Sequence, residues 1–344
     1  MTVVFDNYSG TPSTKDHTHI RRTSGVQGPA VDFMQKTVFS SNKNTFLSNH
    51  MNKQRFINML ATKLIESDIL VEHSSGDADY LIALTAIEKV RESNVVCVTD
   101  DTDILVLLLH YAKKNQFNLH LKASSSSATR PQWDIFETQG VLGSPVISHI
   151  LFIHAFLGCD TVSSIFLKGK TALLNKIDQI KNFASCFYED VPASDIADMG
   201  EKVMLVLYGN KHYDTLNEFR MFQYNLKVAT SKNVVQAKSL PPTYNGAAQH
   251  SFRVYHQVQS WLGNEKDPLQ WGWKLKFGKL WPITMTQPAA PDSLLRFLRC
   301  ACKSDCTRST CSCRKYNMTC STICTHCKGI SCFNVDHDID ESTD

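Results

Sequence analysis

Residues 95–109, VVCVTDDTDILVLLL, constrain the fold of this chain more than any other stretch. Val95–Val98 is an apolar, β-branched run bounded by polar residues, which is typical of a strand buried in a parallel sheet. The carboxylates of Asp100, Asp101 and Asp103 follow it directly. They lie where open α/β sheets bind ligands, and a multivalent cation would relieve their mutual repulsion. The alternative interpretation is that Asp100 caps a helix and its neighbours are solvated.

Further acidic residues stand where other predicted elements begin or end. Asp6 ends a short apolar strand at the start of the chain. Residues 76–79 open a helix predicted over 80–90, and Asp160 follows an apolar helix predicted over 146–157. The candidate catalytic residues are Asp6, Asp77, Asp79, Asp101, Asp103 and Asp160.

Carboxylates gathered in this way suit two-metal chemistry. Two divalent ions about 3.5–4 Å apart can activate a water molecule and stabilise the leaving oxygen when a phosphodiester is cleaved. Oxygen ligands without histidine favour Mg²⁺ or Mn²⁺ over zinc. The acidic residues therefore predict a Mg²⁺ or Mn²⁺ site.

Basic residues near the acidic motifs are candidates for contacts with phosphates. Those in the polar stretch 13–23 have a solvated loop or helix start as their alternative interpretation. Two lysines flank Gly169 within residues 163–181, a pattern that suits a helix-turn-helix gripping one DNA strand. The net charge is only +3, so attraction to nucleic acid must come from such local patches. The candidates are Lys15, Arg21, Arg22, Lys168 and Lys170.

The distribution of cysteines predicts metal binding. Nine of the twelve cysteines lie between Cys300 and Cys332. The sequence has no signal-peptide pattern, and no apolar run reaches the roughly 18 residues that a membrane span needs. We therefore expect a soluble intracellular protein whose clustered cysteines bind metal instead of forming disulfides.

The cysteine spacing is C-x-C-x3-C-x4-C-x-C-x6-C-x3-C-x2-C-x4-C. Three tetrahedral zinc ions need twelve bonds, which nine thiolates supply if three of them bridge two ions each. The alternative is two separate four-thiolate zinc sites with one spare cysteine. Because this segment is short and polar, it should fold only with metal. Its predicted ligands are Cys300, Cys302, Cys306, Cys311, Cys313, Cys320, Cys324, Cys327 and Cys332, and its candidate phosphate contacts are Arg314 and Lys315.

The order and spacing of the acidic motifs resemble the PIN-like nuclease domain of the flap endonuclease/XPG family. The matching motifs are Val4-Phe5-Asp6-Asn7, Asp77-Ala78-Asp79, Asp101-Thr102-Asp103 and Gly158-Cys159-Asp160. The resemblance implies an α/β fold, namely a PIN-like (Rossmann-like) parallel sheet with helices and a helix-hairpin region. It also implies that the six acids are metal-site carboxylates.

Three features depart from the family pattern. The family has an earlier strand that carries a first aspartate, and this chain is expected to lack it. Asp77 and Asp79 stand where the family uses glutamates, which shortens each ligand by one methylene. The hairpin region keeps one glycine, Gly169, where the family usually has two. The resemblance therefore favours the nuclease fold more strongly than flap or duplex recognition.

The cysteine segment resembles the CXC (tesmin/TSO1-like) module, which binds zinc and DNA. The match extends from Cys300 to Asn334, although Thr310 stands where a tyrosine usually precedes the fourth cysteine. This resemblance implies that DNA is a binding partner of the module and that the protein is nuclear. A zinc-stapled module for protein interaction is the alternative.

We expect four segments in this chain. They are a PIN-like domain with a helix-hairpin region over 1–182, a helical extension and Trp-rich connector over 183–292, a CXC zinc module over 293–334, and an acidic disordered tail over 335–344. If the nuclease is active, Asp101, Asp103 and Asp160 would hold one ion, Asp77 and Asp79 the other, with Asp6 between them. The alternative hypothesis is an inactive nuclease-fold scaffold whose CXC module binds DNA or protein.

Overall fold

The structure of the protein is a computed structural model that describes the chain except residues 9–11, 23–26, 41, 76–77, 125–131, 231–236, 287–298, 304, 316–317, 323 and 336–344. The chain divides into two compact units. The first comprises Met1–His212 and Gly246–Thr284, and the second comprises Tyr213–Asn245 and Met285–Asp344. Asp77, and the predicted acidic tail beyond Val335, lie outside the described residues.

Helices and short strands alternate along the chain, and the seven described strands all belong to the first unit. The strands are β1 (Thr2–Phe5), β2 (Leu70–His73), β3 (Val95–Val98), β4 (Leu119–Lys122), β5 (Gln132–Asp134), β6 (Trp273–Lys276) and β7 (Lys279–Pro282). The helices are α1 (Asp16–Arg22), α2 (Lys43–Leu47), α3 (His50–Ile65), α4 (Asp79–Lys89), α5 (Thr102–Tyr111), α6 (Ile135–Leu142), α7 (Ser144–Ser148), α8 (Ile150–Phe156), α9 (Ile177–Ser185), α10 (Ala193–Tyr208), α11 (Leu216–Thr230), α12 (Tyr244–Trp261) and α13 (Ser312–Lys315). None of the described helices combines the length and the apolar character that a membrane span requires.

The strands pair in three small sheets. β1 lies parallel to β2, and β3 lies parallel to β4, as expected when helices connect successive strands. β5 adds antiparallel to β4, and β6 with β7 forms a separate hairpin. The α/β class with parallel pairing is confirmed, but the single sheet expected from the sequence is divided, because β1 and β3 do not pair with each other.

The prediction that β3 is a buried strand is correct for one face only. Cys97 is buried, whereas Val96 and Val98 are 54% and 61% exposed. Side chains alternate along a strand, so these two valines lie on the face opposite Cys97. The described elements cover the Cys97 face and leave the valine face open to solvent.

Residues 163–181 do not form the predicted helix-turn-helix. Turns extend through Leu173, followed by a short 3-10 helix and then α9. Leu167 has a φ of 59°, a left-handed conformation that a right-handed helix cannot contain. The lysines on either side of Gly169 therefore lie in an irregular turn.

The core of the first unit is built around α8 and α12. All seven residues of α8 are buried, because the apolar run predicted as one helix breaks at His149 and its second half enters the interior. α12 is also mostly buried and carries polar side chains that bond to distant backbone groups. His250 Nε2 lies 2.9 Å from the carbonyl oxygen of Phe156, and Gln259 donates to that of Phe187 at 3.0 Å.

α10 and α12 approach each other closely at Gly200. A Cβ atom added at Gly200 would lie 2.6 Å from Ser251 Cβ and closer still to its hydroxyl oxygen. Real Cβ atoms are not found at such distances, so only glycine fits without a shift of one helix. Gly140 in α6 offers the contrast, because an added Cβ there would meet nothing within 4 Å.

We expect Gly200→Ala to lower the free energy of unfolding by about 2 kcal/mol, since overpacking forces the two helices apart. Gly140→Ala should be neutral or add up to about 1 kcal/mol, since alanine favours the helix and meets no neighbour. Urea unfolding of the full chain measures both changes. Equal unfolding midpoints for the two variants would contradict the close approach.

Candidate functional site

A cavity of about 330 Å³ in the first unit brings together carboxylates from three elements. Asp6 follows the last residue of β1, Asp79 is the first residue of α4, and Asp101 directly precedes α5. Lys53 of α3 lines the same cavity. Three of the six predicted acids therefore face one space, although they are far apart in the sequence.

Asp6 is held on both carboxylate oxygens. Its Oδ1 accepts a hydrogen bond from the backbone N–H of Ala78 at 2.9 Å, and its Oδ2 accepts one from the Tyr8 hydroxyl at 2.8 Å. Lys53 Nζ in turn contacts the Tyr8 hydroxyl. Burial lowers the pKa of Lys53, and Lys15 acts in the same direction while Asp6 opposes both. Asp6 thus ties the end of β1 to the start of α4.

The basic segment around α1 contacts two of the acids. Lys15 Nζ lies 3.1 Å from Asp79 Oδ2, and Arg22 Nη2 lies 2.6 Å from Asp160 Oδ1. Thr18 also donates to the carbonyl oxygen of Asp160 at 2.6 Å. α1 therefore packs against the turn that carries Asp160. The predicted role of Lys15 and Arg22 as phosphate contacts stays a prediction.

Asp101 caps α5 by accepting a hydrogen bond from the backbone N–H of Asp103 at 2.8 Å. The alternative that Asp100 caps this helix is wrong. Burial raises the pKa of Asp101, and the negative charges of Asp103 and Asp160 raise it further. The bond from the Asp103 N–H and the charge of Lys15 oppose this rise. Asp101 is thus close enough to both acids to sense their charges.

Asp103 is buried and pairs with a histidine that the sequence patterns did not single out. Its Oδ1 lies 2.7 Å from His154 Nε2, and the two side chains are 9% and 7% exposed. His154 lies in the middle of α8, within an entirely buried run. The sequence offered one signal for this pair, a histidine in an apolar helix six residues before Asp160. A histidine that only packs in the core gives the same sequence pattern, so the sequence could not identify His154.

The other predicted phosphate contacts of the first unit differ in their surroundings. Lys168 Nζ donates to the carbonyl oxygen of Leu207 at 3.3 Å. Lys170 is exposed, and its Nζ donates to the carbonyl oxygen of Gly158. Arg21 is exposed. Contact of these three side chains with phosphate stays a prediction.

The carboxylates of the first unit lie near one another without closing into a tight cluster. Among the described residues, the groups of three or more potential metal ligands whose atoms all lie within 4.8 Å of one another consist of cysteines. Asp79, Asp103 and Asp160 each have a basic partner instead. These three acids are thus individually compensated, and of the three only Asp79 lines the cavity.

The cysteines of the second unit form a compact cluster centred on Cys300. Its sulfur lies 3.7 Å from that of Cys306, 3.8 Å from that of Cys320 and 4.0 Å from that of Cys327. Tetrahedral zinc with bonds of about 2.3 Å places thiolate sulfurs about 3.8 Å apart. These cysteines could therefore hold zinc.

The potential ligand groups overlap. Every group contains Cys300, and Cys306, Cys311 and Cys320 each belong to two of them. Cys313 lies 3.5 Å from Cys324, which extends the cluster further. The three groups are Cys300, Cys306, Cys320 and Cys327; Cys300, Cys302, Cys306 and Cys311; and Cys300, Cys311, Cys313 and Cys320.

Sulfur atoms form the interior of this segment in place of hydrocarbon side chains. Eight of the nine clustered cysteines are buried, and Val335 packs against them. Backbone bonds close the segment, for instance from Thr325 N–H to the Cys300 carbonyl at 2.9 Å. Arg314 and Lys315 lie exposed on α13 beside the cluster. Because this interior contains little hydrocarbon, we expect the segment to depend on bound metal for its stability.

We expect Cys300→Ser to remove at least one zinc ion per chain, since Cys300 belongs to every ligand group. Cys186→Ser is the matched control, because Cys186 lies in the first unit outside the cluster. Elemental analysis of the purified full chain gives the zinc content of each variant. An unchanged zinc content in Cys300→Ser would contradict the conclusion that the Cys300 sulfur is a zinc ligand common to these groups.

We expect Asp101→Asn to stabilise the metal-free protein at pH 7. The raised pKa of Asp101 means that folding favours its protonated form, so the free energy of unfolding falls as the pH rises above the ordinary value of 3.8. Asparagine is neutral and still caps α5, so it removes the loss of stability that ionisation of the aspartate causes. The gain should stay below about 1 kcal/mol, because solvent screens the half-exposed carboxylate.

Urea unfolding at pH 7 and at pH 3 measures this effect. At pH 3 the gain should vanish, since the acid is then protonated in both the folded and the unfolded state. Asp178→Asn, at an exposed acid of α9, controls for the loss of one negative charge. A lower unfolding midpoint for Asp101→Asn at pH 7 would show that the ionised carboxylate is stabilising instead.

No family model matches the chain, and no curated protein or solved structure matches it.

Proposed function

We propose that this chain is a Mg²⁺- or Mn²⁺-dependent endonuclease with a PIN-like domain of the flap endonuclease type, tethered to DNA by a C-terminal CXC zinc module. The observation that carries the proposal is the cavity lined by Asp6, Asp79 and Asp101. These acids come from three elements whose ends converge, as in α/β folds that bind ligands at the carboxyl ends of their strands.

The donor set of this cavity fits a hard divalent cation. Its potential ligands are carboxylate oxygens without histidine, which favours Mg²⁺ or Mn²⁺. Such ions would activate a water molecule and stabilise the leaving oxygen of a phosphodiester. The raised pKa of Asp101 fits the same role, because it reflects burial first and then the negative charges of Asp103 and Asp160, which a cation would compensate. The residues that would hold the ions are Asp6, Asp77, Asp79, Asp101, Asp103 and Asp160.

The basic side chains would bring a phosphate to these acids. A carboxylate cavity repels a phosphate unless positive charge stands beside it. Lys15 and Arg22 contact two of the acids, and Lys53 lines the cavity itself. In this proposal their ammonium and guanidinium groups orient the scissile phosphate, while exposed Arg21 contacts the flanking backbone.

The charge of the cysteine module supports attraction to DNA. Residues 299–335 contain six lysines or arginines and a single acid, Asp305, which gives +5 with neutral histidine. Three zinc ions with nine thiolates carry −3, so the loaded module would keep a charge of +2. The overlap of the ligand groups at Cys300 favours the bridged three-zinc cluster over two separate sites. Positive charge of this kind attracts nucleic acid, and a DNA partner implies a nuclear location.

A second candidate function is an inactive nuclease-fold scaffold. One observation favours it, since no three carboxylates in the described residues have oxygens within 4.8 Å of one another. In that case the zinc module alone would supply the function, by binding DNA or a protein. Cleavage and DNA binding are separable measurements, so one experiment distinguishes the two candidates.

We expect the purified chain to cleave labelled single-stranded, flap or duplex DNA when Mg²⁺ or Mn²⁺ is present. The double variant Asp101→Asn/Asp103→Asn should lower the rate by at least about 100-fold, because it removes two anionic ligands while keeping side-chain volume. Gel analysis of the products against time measures the rate. Asp178→Asn controls for lost charge and should cleave at the wild-type rate.

Absence of cleavage, together with zinc-dependent DNA binding, would overturn the nuclease proposal in favour of the scaffold. Absence of both cleavage and DNA binding would overturn the DNA proposal as well. Cleavage that survives in the double variant would assign the activity to a different site or to a contaminant.

A further inference from the structure

We propose that His154 and Lys170 form a positioning relay that orients Asp103 and the turn carrying Asp160. The inference rests on the proposed function, because the orientation matters when these acids bind a divalent cation. In this role neither His154 nor Lys170 touches the ion. They act by holding the acids that do.

The first link joins His154 to Asp103. The distance of 2.7 Å between His154 Nε2 and Asp103 Oδ1 is that of a charge-assisted hydrogen bond. α5 and α8 pack against each other in the core, so the pair spans two buried helices. Because Asp103 accepts on Oδ1, a cation held by Asp103 in the proposed site would bind its second oxygen, Oδ2. A bond of this kind fixes which oxygen is presented and in what direction.

The second link joins Lys170 to His154 and selects the ring tautomer. Lys170 Nζ lies 3.3 Å from His154 Nδ1. An ammonium group can only donate, so Nδ1 must be the accepting, unprotonated nitrogen. The ring proton therefore resides on Nε2, where it is donated to Asp103. Without Lys170 the ring could turn its acceptor nitrogen toward the carboxylate, which would break the bond.

The third link joins Lys170 to the backbone of the Asp160 turn. Lys170 Nζ also donates to the carbonyl oxygens of Gly158 and of His154 itself, so its three N–H groups have three acceptors. Gly158 has a φ of 104°, and an added Cβ would lie 2.6 Å from Ser164 Cα. The turn is therefore tightly specified, and one ammonium group fastens it to the histidine that holds Asp103.

A purely structural role for these side chains makes a different prediction. If the network only stabilises α8, breaking it would lower the stability of the fold. Cation affinity would then fall only in proportion to the fraction of protein that is unfolded. A positioning relay changes cation affinity in protein that is still fully folded. Partners of metal-binding side chains typically contribute about 10–100-fold to metal affinity.

The test measures Mn²⁺ binding to the full chain by electron paramagnetic resonance of free Mn²⁺, with thermal unfolding of the metal-free protein recorded alongside. His154→Leu removes the donor and should weaken Mn²⁺ binding by about 10-fold or more. His154→Gln places an amide N–H near the position of Nε2 and should keep the affinity within about threefold of wild type. Lys170→Met should weaken binding to a smaller extent than His154→Leu.

Two matched controls separate the relay from general effects of substitution. His120→Leu removes a histidine that lies 3.6 Å from Asp134, a second His–Asp pair outside the cavity. Lys176→Met removes a lysine that donates to the carbonyl oxygen of Val206 at 2.7 Å. Both controls should bind Mn²⁺ as the wild type does.

The outcomes separate failure of the inference from failure of the proposed function. If the wild-type chain binds Mn²⁺, Asp101→Asn weakens that binding and His154→Leu does not, the relay is overturned and the carboxylate site stands. If His154→Gln binds Mn²⁺ as weakly as His154→Leu while unfolding at the wild-type temperature, the hydrogen bond donated to Asp103 does not set the affinity, and the relay is likewise overturned. If the wild-type chain binds no Mn²⁺, or if Asp101→Asn leaves its Mn²⁺ binding unchanged, the proposed function is overturned and the relay with it.

Discussion

Repulsion among carboxylates gathered at one cavity is the constraint on which the first unit depends. Like charges this close raise the free energy of the folded state unless each meets a donor or a cation. The chain supplies these partners from distant positions, since Lys15 is 64 residues from Asp79 and His154 is 51 residues from Asp103. The acids are therefore compensated only when α1, α4, α5 and α8 have all assembled, which makes the site a product of the complete unit.

Local sequence patterns predict the elements that carry the acids, but the partners of those acids depend on the fold. The apolar run Val95–Val98 and the acids after it indicate a strand followed by a helix, which the structure contains as β3 and α5. The divided sheet and the open face of β3 result from non-local pairing, which periodicity does not encode. His154 is unpredictable for the same reason, since its partner is set by how α8 packs against α5.

Sequence spacing predicts a metal cluster more readily than it predicts how the cluster is connected. Nine cysteines in one short segment indicate metal binding, and eight of them are buried together. Spacing alone leaves both the bridged cluster and two separate sites open. The central place of Cys300 emerges only in three dimensions, because its neighbours Cys306, Cys320 and Cys327 come from three turns of the chain.

Because the first unit is formed by two separate stretches of the chain, it cannot complete its folding until late in synthesis on the ribosome. α12 supplies the buried groups that bond to Phe156 and Phe187, yet it is translated only after the intervening segment of the second unit. Roughly 70 residues separate His212 from the end of the unit at Thr284. At ribosomal rates of about 5–20 residues per second, the nascent chain exposes the apolar surface of α8 and α10 for about 4–14 s. Chaperone binding during this interval would protect the unfinished core from aggregation.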